Sequence, residues 1–244
     1  MKGYIKQLGY AFVMLLAGLC PMGLGVVFAG ITSEKYSGFI MDLSVFAGAL
    51  LCMFVMKKQF NINIKDSLKK PDPKETVLII SMALAYTAIM AFTEYRSILD
   101  EPSDYRNTLT DWIGTAFLAP VSEEIIFRFS MLTLLLMSDG HRKKIVSFIL
   151  VSAIWAAIHF GGDLPRFADI FIVGIILGTI FCKSGNIIYC IIFHSIANAA
   201  IYIVSCYSDF IANQMWLFYI SIPLFLSCMG ILVYMFDNRK IVKE

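Results

Sequence analysis

Three short motifs in the middle of the sequence bring together the residue types of a water-activating hydrolytic site: Glu123, Glu124 and Arg128 in Ala119-Pro120-Val121-Ser122-Glu123-Glu124-Ile125-Ile126-Phe127-Arg128, His159 closing Trp155-Ala156-Ala157-Ile158-His159, and His194 with Asn198 in His194-Ser195-Ile196-Ala197-Asn198. On a helix Glu124 and Arg128 stand at i, i+4, share a face and can neutralise each other. Glu123 points about 100° away and has no partner on its own helix. A carboxylate so placed is a candidate general base, tuned by whatever donor a second helix supplies, and His159 is the natural one. His194 and Asn198 again stand at i, i+4 and converge, so two neutral donors could hold an oxyanion. Taken singly, each group has a plainer reading: a Glu–Arg packing pair, an interfacial histidine beside Gly161-Gly162, interhelical hydrogen-bond glue. Their joint occurrence favours chemistry, because only His141 of the three histidines falls in a loop.

These side chains lie in stretches that must be positioned by lipid-embedded helices. The 244 residues are 59% hydrophobic and 16% charged, with a mean hydropathy of +0.75, against about 45–50% apolar and about 25% charged for a soluble domain. Eight stretches come close to the roughly 20 apolar residues that a span needs: Leu8–Ile31, Phe39–Met56, Thr76–Phe92, Asp111–Met137, Ile145–Phe160, Phe167–Phe181, Ile187–Cys206 and Met215–Phe236. The fifth and sixth are short. Continuous apolar runs argue for helices rather than the alternating pattern of a barrel. The expected fold is therefore all-α, a polytopic membrane bundle of about eight helices, forming one domain over 1–244 with its catalytic core at about 108–206. The first stretch is read as a span rather than a cleaved leader, since its apolar run exceeds a leader's usual core. Pro21, Pro120 and Pro223 should kink or loosen their helices. Gly174 and Gly178 form a small-xxx-small pair for close helix packing. The six cysteines show no CxxC spacing and read as buried small hydrophobes.

The positive-inside rule fixes an expected orientation. With the N-terminus cytoplasmic, the inner segments hold Lys2 and Lys6, then Lys57, Lys58, Lys65, Lys69, Lys70 and Lys74, then Arg142, Lys143 and Lys144, then Lys183, then Arg239, Lys240 and Lys243; the outer ones hold only Lys35, Arg96, Arg106 and Arg166. Both termini are thus expected in the cytoplasm of a multi-pass protein of a bacterial cell membrane. At 1.5 Å per residue Glu123 and His159 each lie about 21 Å from the inner ends of their helices, whereas His194 lies only about 10 Å above Ile187, a mismatch left to helix tilt.

On these motifs the sequence resembles the CAAX protease and bacteriocin-processing family, also called the CPBP or Abi family of intramembrane glutamic endopeptidases, whose pattern is EExxxR, FxxxH and HxxxN on successive helices. The first and third motifs match fully, and the second carries Trp155 in place of phenylalanine. The resemblance implies that Glu123 activates water with His159, that His194 and Asn198 stabilise the oxyanion, and that Glu124 and Arg128 order the site. It implies Trp155 and Phe127 as walls of a substrate pocket. The implied activity is endopeptidase cleavage of membrane-associated peptides or protein tails within the lipid bilayer, with no nucleic-acid partner. A non-enzymatic alternative is a bacteriocin self-immunity or peptide-binding membrane protein; a proton-coupled transporter lacks the expected repeats. No cofactor is expected. Zinc held by two histidines and a glutamate is the alternative, ranked second because HExxH is absent and Asn198 is a poor zinc ligand.

Overall fold

The computed structural model describes residues 2–32, 34–93, 109–137, 141–160, 164–206 and 214–241, and among these it is a bundle of eight helices with no strand. They are α1 (Lys2–Ile31), α2 (Glu34–Phe60), α3 (Pro73–Thr93), α4 (109–136), α5 (His141–Ile158), α6 (Leu164–Ser184), α7 (Ile187–Cys206) and α8 (Met215–Ile241). The expected all-α bundle is what forms. The segments with Arg96 and Arg106, and the side chains of Lys35, His141, Arg142, Cys206, Arg239 and Lys240, lie outside the described residues.

Five helices contain segments long and apolar enough to cross a membrane: Gly3–Ile31, Tyr36–Phe60, Pro73–Ala91, Leu164–Ser184 and Met215–Phe236. The sixth helix is thus a full 21-residue span, longer than the apolar run alone suggested, because Leu164 to Arg166 and Cys182 to Ser184 continue the helix past the run's ends. The remaining three, α4, α5 and α7, carry the polar motifs, and the described part of α7, Ile187–Ala200, is apolar as well. Lipid is the solvent for the outer surface: Phe12, Leu16, Leu24, Phe54 and Tyr234 are each more than half exposed, a distribution that water would penalise. Cys20 and Cys182 share this outer surface, while Cys52, Cys190 and Cys228 are buried as expected.

α4 occupies the centre, touching α1, α2, α5, α6 and α7. Glycine lets the frame close around it. A Cβ on Gly48 of α2 would fall onto the Gly18 carbonyl of α1, and Gly174 and Gly178 of α6 face Ser152 and Phe148 of α5. α4 is not a regular α-helix kinked at Pro120. Gly114–Leu118 and the nine residues Glu124–Leu132 wind with the wider π pattern, and every residue of the second π segment is buried. Ser130 Oγ and Thr133 Oγ1 donate to the carbonyls five residues back, Ile125 at 2.8 Å and Arg128 at 3.2 Å, reinforcing the wide turns. A π turn holds more residues than an α turn, so α4 advances less than 1.5 Å per residue allows. The depth of Glu123 and Glu124 above Met137 is correspondingly somewhat smaller than that spacing gives.

Candidate active site

Glu124 is the electrostatic centre of the buried cluster. Its Oε1 accepts from Arg128 Nη1 at 2.9 Å on the next turn and stands 2.9 Å from His194 Nδ1 of α7. Glu124 and Arg128 are both essentially without exposure. A carboxylate so buried is tolerable only with its countercharge and donors in place. His194 Nε2 makes no hydrogen bond among the described residues.

Glu123, one residue earlier, faces α5. Its Oε2 accepts from Trp155 Nε1 at 2.6 Å, and its Oε1 stands 3.6 Å from His159 Nε2. His159 Nδ1 lies 2.8 Å from the Trp155 carbonyl oxygen. A carbonyl can only accept, so Nδ1 carries a hydrogen, and Nε2 is left to hold or release the one remaining proton toward Glu123. The pair is therefore a proton couple with its tautomer fixed by backbone.

Trp155 is the common neighbour. Its ring lies edge to face with His159 and His194, each at a centroid separation of 5.4 Å, and Arg128 Cζ sits 4.6 Å above it. The sequence suggested an apolar wall here; the indole also acts as a hydrogen-bond donor to Glu123. One signal was available, since a buried indole N–H normally finds an acceptor. Phe127, the other expected wall, is buried in the core.

Asn198 is tied to α4 as well, its Nδ2 donating to the Thr115 carbonyl at 3.0 Å. The cause is local. Ala119 N–H reaches back five residues to the Gly114 carbonyl, and the same ladder would pair Thr115 with residue 120, which is a proline without an N–H. Asn198 supplies a donor that Pro120 lacks. An amide nitrogen carries two hydrogens, so one remains for other use.

The structure thus brings Glu123 to His159 and Glu124 to Arg128 and His194, and it anchors both His194 and Asn198 on α4. Asp42 and Glu75 are membrane-region carboxylates that the motif reading passed over. Asp42 lies against Gly114, where a Cβ would meet its carboxylate, and Glu75 accepts from Tyr189 Oη at 2.6 Å. Among the described residues no three His, Cys, Asp or Glu side chains converge so as to hold a metal ion.

Removing the indole donor while keeping an aromatic ring isolates its role. Trp155→Phe is expected to lower kcat about tenfold with KM little changed, because a hydrogen bond to a charged group contributes about 1.5–3 kcal/mol. Steady-state kinetics on the purified variant checks this; an unchanged kcat would show that the indole N–H has no part in setting the carboxylate.

Residues 105–200 match a family model described as Rce1-like, type II CAAX prenyl endopeptidase. No curated protein and no solved structure matches the chain.

Proposed function

We propose that this chain, whose residues 105–200 match the Rce1-like CAAX prenyl endopeptidase model, is an intramembrane endopeptidase in which Glu123 activates water for attack on a peptide carbonyl of a membrane-associated peptide or protein tail. The single observation that carries this reading is the Glu123 carboxylate clamped by Trp155 at 2.6 Å and facing the imidazole of His159 at 3.6 Å. Glu123 takes a proton from water as the oxygen attacks the carbonyl carbon. His159, its Nδ1–H anchored on the Trp155 carbonyl, accepts that proton at Nε2 and returns it to the departing amine. The oxyanion that forms is met by His194, which in its protonated form donates from Nε2, and by the second N–H of Asn198. The mechanism calls for no metal.

Cells carrying Glu123→Gln should accumulate uncleaved membrane peptides that the wild type converts to shorter products. Mass spectrometry of membrane peptides from the two strains reads this directly. Identical peptide profiles would remove the protease reading and leave a peptide-binding or immunity role.

A further inference from the structure

The two ends of the bundle are chemically unlike, and the site is exposed near only one of them. One end gathers the start of α1, the end of α2, the 61–72 connection, the starts of α3, α5 and α7 and the end of α6. Tyr4 Oη pairs with Ser147 Oγ at 2.9 Å, Asn186 Nδ2 donates to the Lys69 carbonyl at 3.1 Å, Lys69 Nζ donates to the Ser184 carbonyl at 3.4 Å, and Asp72 N–H donates to Tyr189 Oη at 2.8 Å. This end carries Lys57, Lys58, Lys65, Lys69, Lys70 and Lys74, together with further lysines at the start of α5 and end of α6. His159 stands at the other end of α5, about 24 Å beyond Lys143 at 1.5 Å per residue, where Phe160 meets Phe167 at the start of α6 with ring centroids 6.0 Å apart. The segments joining helices at that end are acidic in sequence, with Glu94, Asp100, Glu101, Asp104, Asp163 and Asp209.

Within the cluster, exposure is confined to the pair at the His159 end. The His159 side chain is 33% exposed and Glu123 15%, whereas His194 is 5%, Arg128 1% and Glu124 0%. Water and substrate therefore reach Glu123 past His159, from the end opposite the lysines. Lysine-rich connections stay on the cytoplasmic side of a membrane.

We infer that the active site opens to the extracytoplasmic face, so that its substrates are exported peptides or the outer juxtamembrane segments of membrane proteins rather than tails made and held in the cytoplasm. The substrate class rests on the protease reading; the direction of the opening does not.

The test is labelling of the full chain with a membrane-impermeant maleimide in intact bacterial cells, in a background with all six native cysteines replaced. Phe160→Cys and Leu164→Cys report the His159 end, at positions that are 50% and 71% exposed, and Lys69→Cys reports the other. The expected result is full labelling of Phe160→Cys and Leu164→Cys from outside, with Lys69→Cys labelled only after permeabilisation. Protection of both His159-end variants in intact cells, when the same proteins label after permeabilisation, would overturn the inference. A variant unreactive even then is misfolded or occluded, and the companion position decides. Labelling is read without any cleavage, so a chain that proves not to be a protease can still show which way the His159 end faces. If instead cleavage is present and the His159 end is protected, the protease reading stands and the substrate class moves to the cytoplasm.

Discussion

Glu123→Gln is expected to lower kcat about 10³-fold with KM nearly unchanged, within the range that general base catalysis contributes and equal to about 4 kcal/mol of transition-state stabilisation. The size of the effect follows from what the substitution leaves intact. Glutamine keeps a carbonyl oxygen to accept the Trp155 N–H now 2.6 Å from the carboxylate, and it fills the same volume, so thermal unfolding should be unaltered. It cannot take a proton from water. Turnover of a peptide identified by mass spectrometry, measured on purified wild type and variant, checks the prediction. A variant within a few-fold of wild type would mean that another group activates the water.

Arg128→Met should act on stability first. Arg128 is 1% exposed, donates to Glu124 Oε1 at 2.9 Å and covers the Trp155 ring at 4.6 Å. Removing it leaves a fully buried carboxylate with His194 as its one remaining donor, and Oε2 of Glu124 already makes no hydrogen bond. Breaking a buried pair on one side costs about 3–5 kcal/mol, a fall in Tm on the order of 10 °C for a chain of this length. The double variant Glu124→Gln with Arg128→Met removes the stranded charge and should recover much of that Tm without restoring cleavage. Thermal unfolding of the three variants in detergent separates these outcomes. If Arg128→Met alone unfolds at the wild-type temperature, the buried pair does not stabilise the bundle.

Much of this site was legible before any coordinates. Glu124 and Arg128 stand at i, i+4, and that spacing keeps them on one face whether the helix winds as α or π, so their pairing was readable from the sequence. The meeting of Glu123 with His159 was readable for a different reason: a carboxylate in lipid needs a partner, and few candidates existed on other helices. The donation from Trp155 to Glu123 was not readable, because it depends on how closely α5 approaches α4, which Gly174 and Gly178 influence from behind through α6.

The sequence by itself determined a helical membrane bundle, the apolar stretches that build it and the short list of polar side chains with a reason to be inside it, since composition and local spacing act within one helix. Only the tertiary structure decided the π winding of α4, the capture of the Thr115 carbonyl by Asn198 and the anchoring of His194 Nδ1 on Glu124. Those outcomes depend on neighbouring helices satisfying backbone and side-chain groups that lipid cannot. Residues far apart in sequence, such as Thr115 and Asn198, meet because the fold brings α7 against the stretch of α4 where Pro120 has no hydrogen to give.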